Sequence, residues 1–457
     1  MSLPSAFIQK YQTLLGTESE AFLHALSEKM AESGFRFNPL KPNASHVRQD
    51  FIAEQFQSSP YAKEGYLGSI HGNTPLHQAG YVYSQEPAAS LVATIAAAKP
   101  SERVLDLCAA PGGKTTQLAT SMQDQGLLIA NEIMPKRASI LSENVERWGL
   151  THTVVTNHAP KELADVFFNF FDCIVVDAPC SGEGMFRKNP DAQLEWQAST
   201  PKECAKRQRE ILTEAVKMLK PGGRLIYSTC TFAPEEDEEI VSFLVHTHGF
   251  EVATIDLPDV PHSHGRGEWG STPAVEKAIR LWPHLHPGEG HFVAKLIKPN
   301  TVAAPTKKVR SFQPKTPSAE QRALIAPFEP FFLNASLLTY HVIKDELWGV
   351  PSALPKAITK LRIRRFGLHL GTFKKRRFEP NFALAMALKA IEDVPTIVLT
   401  VDEWAQYVHG DAIAHPGNQG WVVLTYQGMV VGFGKQVHSL IKNFYPKGLR
   451  FTAHLDH

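Results

Sequence analysis

Apolar residues gather in short, almost unbroken blocks through the middle of the chain. Arg103–Leu107, Leu127–Asn131, Thr153–Thr156, Cys173–Asp177 and Arg224–Ser228 are such blocks. Runs this short and this apolar read as strands covered on both faces. Between them the spacing turns helical, over Lys114–Met122, Lys136–Trp148 and Glu203–Leu219, and Lys220-Pro-Gly-Gly223 stops the last helix. Another helix is predicted after Pro234, where the acids Glu235 to Glu239 complement the positive end of its dipole. Alternating strands and helices predict an α/β fold with a parallel sheet and right-handed crossovers. Glu251–Ile255 and His291–Ile297 are expected to close it as an antiparallel edge pair.

The flanks have a different texture. Residues 1–75 predict a small α+β region, with a helix over Ala21–Met30 and a strand over Gly34–Asn38. Glu86–Ala98 reads as a helix with a proline near its first turn. The expected sheet-bearing domain spans 76–299, and the Pro-rich polar stretch 300–320 reads as a linker. A basic region, 321–390, and a β-rich module, 391–457, follow. The strands expected in that module are Thr396–Thr400 and Trp421–Phe433, the latter folded at a Gln-Gly turn.

Composition narrows the class. The chain has 457 residues, 43% of them hydrophobic, enough for several cores. No apolar run reaches the roughly 18 residues of a membrane span, and the N-terminus lacks a secretory pattern. Five cysteines without Cys-x-x-Cys spacing indicate free thiols in a reducing cytoplasm and no zinc site. Net charge is only +1. Yet nine lysines and arginines and no acid lie between Lys356 and Arg377, interleaved with Phe366, Phe373 and Phe378. That pattern reads as a phosphate-contacting stripe.

The strand ends carry the candidate chemistry. Open parallel sheets bind ligands at their carboxyl edge. The first strand feeds the turn Cys108-Ala-Ala-Pro-Gly-Gly-Lys114, which opens a helix. It is no Walker A loop, because Cys108 stands where a glycine is needed, and it lacks the dinucleotide G-x-G-x-x-G. Glu132 ends the next strand, placed to accept ribose hydroxyls. Loop and acid together fit S-adenosylmethionine. Cys180 and Cys230 follow two further strands, which puts two thiols on the same edge.

Asp106-Leu-Cys-Ala-Ala-Pro-Gly-Gly-Lys-Thr115, Asp177-Ala-Pro-Cys-Ser-Gly-Glu-Gly184 and Ser228-Thr-Cys-Thr231, in this order, resemble the signature motifs of the Nop2/Sun family of RNA cytosine-5 methyltransferases. The resemblance covers roughly 30–298. It implies a Rossmann-like class I methyltransferase fold. Phe366–Gly371, Lys375–Pro380 and Trp421–Phe433 resemble the bacterial RsmF branch, which ends in a PUA-like RNA-binding module and modifies small-subunit (16S) ribosomal RNA near the decoding centre. The N-terminal region is then an RNA-binding lead-in, and the partner is RNA, with no membrane and no metal.

By position, the resemblance assigns Cys108, Ala109, Ala110, Pro111, Gly112, Gly113 and Lys114 to the cofactor, with Glu132 at the ribose and Asp177 near both cofactor and target base. The family often has an aspartate after the third strand. Here Thr156-Asn-His-Ala-Pro160 has Ala159 in that place, and Asn157 or His158 is left to substitute.

Cytosine C5 is a poor nucleophile until a thiolate adds at C6, which splits one hard step into easier ones. The thiolate must be favoured near neutral pH. Lys114 is a candidate to help, and Asp177, if protonated, to assist at N3. Spacing leaves open which cysteine attacks. The resemblance makes Cys230 the nucleophile and Cys180 the release residue. Arg137 and Asn144 carry no assigned role, and Arg187, Lys188 and Asp191 are possible RNA contacts. The rival readings are a DNA cytosine or transfer RNA methyltransferase, and a non-catalytic RNA-binding assembly factor on the same fold.

Overall fold

The computed structural model describes residues 3–28, 32–300, 310–335 and 339–453. Residues 301–309, within the expected linker, lie outside them. Five parallel strands form the centre: β1 Arg103–Asp106, β2 Leu127–Asn131, β3 Thr153–Thr156, β4 Phe171–Asp177 and β5 Leu219–Thr229. Their spatial order is β5-β4-β1-β2-β3. The chain runs outward from β1 to β3, returns to the other side of β1, and runs outward again. The reversal lies between β1 and β4, the switch point where such sheets bind ligands.

The unbroken apolar runs have a simple cause. Neighbouring residues of each strand enter opposite cores: Leu105, Ile129, Val154 and Ile174 on one face, Val104, Leu128, Val155 and Val175 on the other. Helices α1 Gly113–Ser121, α2 Pro135–Trp148, α3 Thr200–Met218 and α4 Glu238–His248 connect the sheet. Two antiparallel strands, β6 Ile279–Leu281 and β7 His291–Ile297, extend it beyond β5, with Phe292 opposite Thr229. Glu251–Val252 pairs with the end of β7 as expected, over fewer residues.

Two boundaries differ from the sequence reading. The N-terminal layer is an antiparallel sheet of Gly65–Leu67, Gly34–Phe37 and Val82–Ser84, so it continues past residue 75. At the far edge of the main sheet, β8 Ile363–Phe366 pairs antiparallel with β3. The basic region thus supplies a strand to the main sheet. Propensity marks a strand, but it does not say which sheet will take it.

The basic stripe also divides. Phe366, Phe373 and Phe378 are buried, and Arg365, 2% exposed, reaches Glu146 of α2 at 2.9 Å. Phe373 pairs across a hairpin with Phe378, so strand alternation turns both inward. These rings are core and are not free to stack on bases. Lys374, Lys375, Arg376 and Arg377 stay exposed at the hairpin turn. The last module is a five-stranded sheet centred on Gly420–Tyr426 and Met429–Val437. Its Gln427-Gly428 turn has φ of 49° and 75°, as a tight two-residue hairpin requires.

Candidate active site

The turn after β1 is held from several sides. Gly112 has φ 117°, and a Cβ there would lie 3.2 Å from Leu141 Cδ1, so the position favours glycine. Arg137 donates to the Ala110 carbonyl and Asn144 to the Pro111 carbonyl, both at 2.7 Å. These two residues of α2, without a role in the sequence, clasp the loop. Arg36 of the N-terminal sheet donates to the Gly113 carbonyl at 2.7 Å. No local signal marks Arg36, because its partner is distant in sequence. Below the turn, Asp106 is fully buried and accepts from Thr115 Oγ1 at 2.7 Å, while its Oδ1 has no partner. Burial pushes its carboxyl up to about 7.

Glu132 closes β2, almost wholly buried, and its Oε1 accepts from the Met134 amide at 2.9 Å. Beside it Ile133 and Met134 are 56% and 55% exposed, an apolar rim. Asn157 Nδ2 donates to the Glu132 and Ile133 carbonyls at 2.7 and 2.9 Å. His158 Nε2 accepts from the Arg362 amide at 2.6 Å, and its Nδ1 is 3.0 Å from Glu162. His158 is therefore engaged on both ring nitrogens, and Asn157 secures the Glu132 turn.

The two thiols meet. Asp177 of β4 pairs with Ser228 of β5, and the turns that follow bring Cys180 Sγ within 3.2 Å of Cys230 Sγ. The contact with Cys230, then burial, pushes the Cys180 thiol well up. Asp177 stands beside them. Its Oδ2 accepts from Lys114 Nζ at 2.6 Å and its Oδ1 from Ser228 Oγ at 2.8 Å. Burial pushes this carboxyl up, but Lys114, then His291, then the hydrogen bonds outweigh it and leave it below the usual carboxylate range. Asp177 therefore favours its charged form, in which both oxygens accept hydrogen bonds. For Lys114 burial works downward, and Asp177, with further help from Cys230, raises it overall.

Buried acids hold the cysteine turns. Glu236 accepts from the Ser181 amide at 3.0 Å, from the Ser181 hydroxyl, and from Gln208 Nε2 at 2.9 Å. Glu183 accepts from Tyr11 and Trp196, and from Thr231 Oγ1 at 2.9 Å. Asp237 and Glu238 pair with buried Arg280. Of the acids expected to complement the dipole of α4, Glu236, Asp237 and Glu238 are fully buried. An acid run interrupting apolar sequence was the available signal. Gly184 is needed where a Cβ would lie 2.8 Å from the Gly290 carbonyl and 2.9 Å from that of Cys230. Arg187 pairs with Glu289 at 2.7 Å, both side chains buried, and so clasps a loop and does not face RNA. Lys188 is half-buried and Asp191 exposed.

Four family models match: 16S rRNA methyltransferase RsmB/F over 93–297, the N-terminal domain of 16S rRNA methyltransferase RsmF over 3–87, the RsmF first C-terminal domain over 332–388, and the methyltransferase RsmF PUA domain over 394–451. The ribosomal RNA small subunit methyltransferase F of Vibrio campbellii is 31% identical, with 98% of this chain and 97% of that one aligned. That of Vibrio vulnificus is 30% identical over the same shares. Among solved structures, a methyltransferase homolog protein from Pyrococcus horikoshii is 28% identical with a TM-score of 0.57, covering 64% of this chain and 94% of that one. NSun6 from the same organism, solved with SFG, has a TM-score of 0.57 at 21% identity, covers 65% of this chain and 98% of that one, and shares the fold. With its loop, its paired thiols and four successive matches in register, the chain belongs to the RsmF family of 16S ribosomal RNA methyltransferases.

Proposed function

We propose that this protein transfers a methyl group from S-adenosylmethionine to C5 of a cytosine in 16S ribosomal RNA near the decoding centre, in the cytoplasm. The observation that carries the reading is the 3.2 Å approach of the Cys180 and Cys230 sulfurs beside the Lys114–Asp177 pair. Two thiols on one sheet edge suit a reaction in which a bond to sulfur is made and later broken.

The residues at the switch point fit the cofactor. Asp106 Oδ1 is a buried acceptor without a donor, Glu132 keeps carboxylate capacity for a diol, and Ile133 and Met134 offer an apolar face. The Cys108–Lys114 loop, held rigid by Arg36, Arg137 and Asn144, forms the wall. When bound, S-adenosylmethionine supplies an electrophilic methyl on a sulfonium.

Cys230, as thiolate, adds to C6 of the base and pushes electron density to C5. The Lys114 ammonium lies in the field of Cys230, whose charge helps to raise it. Asp177 accepts from the 4-amino group of the base and orients the ring. After methyl transfer the C5 proton leaves to water, the C5=C6 bond re-forms, and the electrons of the C6–S bond return to Cys230. Cys180, whose raised affinity keeps its proton in place, donates it toward the departing sulfur. The base must be extruded from any stack to reach this edge.

Bisulfite sequencing of 16S ribosomal RNA from cells with and without the gene tests the reading. The expected result is one or more protected cytosines in the decoding region that lose protection with the gene. Unchanged protection across 16S ribosomal RNA refutes the substrate.

A further inference from the structure

His291 opens β7. Its neighbour Phe292 faces Thr229, which sets His291 beside Cys230 at the end of β5. The side chain is 4% exposed, and Nε2 has no hydrogen-bond partner although it lies 3.8 Å from Asp177 Oδ1. Its position is fixed from below. A Cβ at Gly290 would lie 2.3 Å from the Phe232 ring. Arg187 holds Glu289 and the Gly288 carbonyl at 2.7 Å each, and the Glu289 amide donates to Glu86 at 2.9 Å.

The imidazole is neutral. Burial, then the charge of Lys114, hold it down to about 4 against Asp177 and a hydrogen bond to the Gly290 backbone. That bond falls to Nδ1, because Nε2 is unpartnered. With the proton on Nδ1, the buried Nε2 keeps its lone pair on the side of Asp177. An ionised carboxylate oxygen and an imidazole lone pair then stand side by side. A buried acceptor left without a donor is costly. Nε2 lacks a donor, and Oδ1 can accept one more beyond Ser228, so a group with two N–H bonds satisfies both. A carbonyl oxygen in that place faces two acceptors and is repelled.

We propose that His291 is a specificity-determining residue, whose Nε2 accepts one N–H of the 4-amino group of the target cytosine while Asp177 Oδ1 accepts the other. The inference rests on the cytosine-methylating reading above and adds to it the means by which uracil is refused. A site built to pair a polar group discriminates strongly against the analogue that cannot pair, because its own buried groups are left unmatched.

The test uses synthetic RNA of the 16S decoding-region sequence, with cytosine or N4-methylcytosine at the methylated position. Full-length wild type, His291→Ala and His291→Asn are compared in single-turnover methyl transfer. N4-methylation removes one of the two N–H bonds, and wild type is expected to slow by roughly 10- to 100-fold on it. His291→Ala should slow on cytosine by a similar factor and lose most of the N4-methyl penalty. His291→Asn, of smaller volume but with an acceptor retained, should keep more of the cytosine rate and more of the penalty. It also carries the test should the alanine variant fail to fold. A merely structural role lowers both rates together and leaves their ratio unchanged. An unchanged ratio in the variants, or no penalty in wild type, overturns the assignment of His291. Failure of wild type to methylate cytosine at all sinks the cytosine reading itself.

Discussion

Lys114 Nζ lies 2.6 Å from Asp177 Oδ2, so the first turn of α1 is tied to the tip of β4 by a charge pair across the switch point. The pair does two things. It favours the charged form of a carboxylate where the base is proposed to dock, and it keeps a cation near Cys230. Lys114→Met should therefore lower kcat/KM by roughly 100-fold or more, in the range of lost preorganised charge. It should also move the pH profile. Asp177 is held below the usual carboxylate range mainly by Lys114 acting against burial. Its useful ionised form is present above its pKa, so loss of Lys114 shifts the acid limb of the profile to higher pH. An acid limb that stays in place in the Met variant contradicts the coupling.

Glu236 supports a different prediction, about stability. Burial pushes its carboxyl up to about 7 from 4.5. The folded state then binds more protons than the unfolded one between those values. Stability is fully present below the unfolded pKa and falls as pH rises toward the folded one. Glu236→Gln removes the titration and keeps an acceptor for Ser181. Relative to the glutamine variant, wild type should lose on the order of 2–3 kcal/mol between pH 5 and pH 8. Thermal unfolding of both proteins at the two pH values measures this, and a constant difference in midpoint refutes it.

The central sheet was legible because its strands are covered twice. Leu127–Asn131 and Thr153–Thr156 have the predicted bounds, since their apolar runs begin and end with the two cores. Both cysteines and Asp177 stood at strand ends, where parallel pairing had to bring them to one edge. What escaped the sequence was long-range pairing. The partner of β8 is β3, the partner of Arg36 is the Gly113 carbonyl, and the partner of Arg365 is Glu146. Each joins elements far apart in the chain, and no local spacing encodes such a choice. The acids Glu236 to Glu238 misled for a related reason. Their burial depends on Arg280, Ser181 and Gln208, which arrive from three other segments.

The division of the basic stripe yields a prediction with its own control. Lys374, Lys375 and Arg376 are exposed, and Arg377, also exposed, is held by Glu379 at 2.8 Å. Replacing Lys374–Arg377 with alanine should weaken RNA binding and flatten its log–log salt dependence by about 2, at roughly 0.7 per lost phosphate contact from three free cations. Arg365→Ala should leave the slope alone and instead destabilise the fold by roughly 2 kcal/mol or more, because it breaks a pair whose arginine is 2% exposed. Binding titrations at several salt concentrations and thermal melts separate the two. A slope that is unchanged in the quadruple variant reduces the hairpin to a solvated surface.

The two thiols give the most direct reading of chemistry, because their proposed roles differ at a step that can be trapped. If Cys230 forms the C6 bond and Cys180 assists its rupture, then Cys180→Ala should leave addition possible and slow release. Wild type, Cys180→Ala and Cys230→Ala, each incubated with 16S ribosomal RNA and S-adenosylmethionine, can be resolved on a denaturing gel. A slow-migrating protein–RNA band should accumulate with Cys180→Ala and be absent with Cys230→Ala. The alanine at 180 removes a donor that sits 3.2 Å from the nucleophile. It leaves Lys114, Asp177 and Ser228 in contact with one another. Addition should therefore stay within about tenfold of wild type, while turnover falls by a general-acid factor of roughly 100-fold or more. The reverse pattern, a band from Cys230→Ala alone, exchanges the two roles. No band from either variant, with methylation retained in both, removes the covalent mechanism and leaves the sulfur contact as packing.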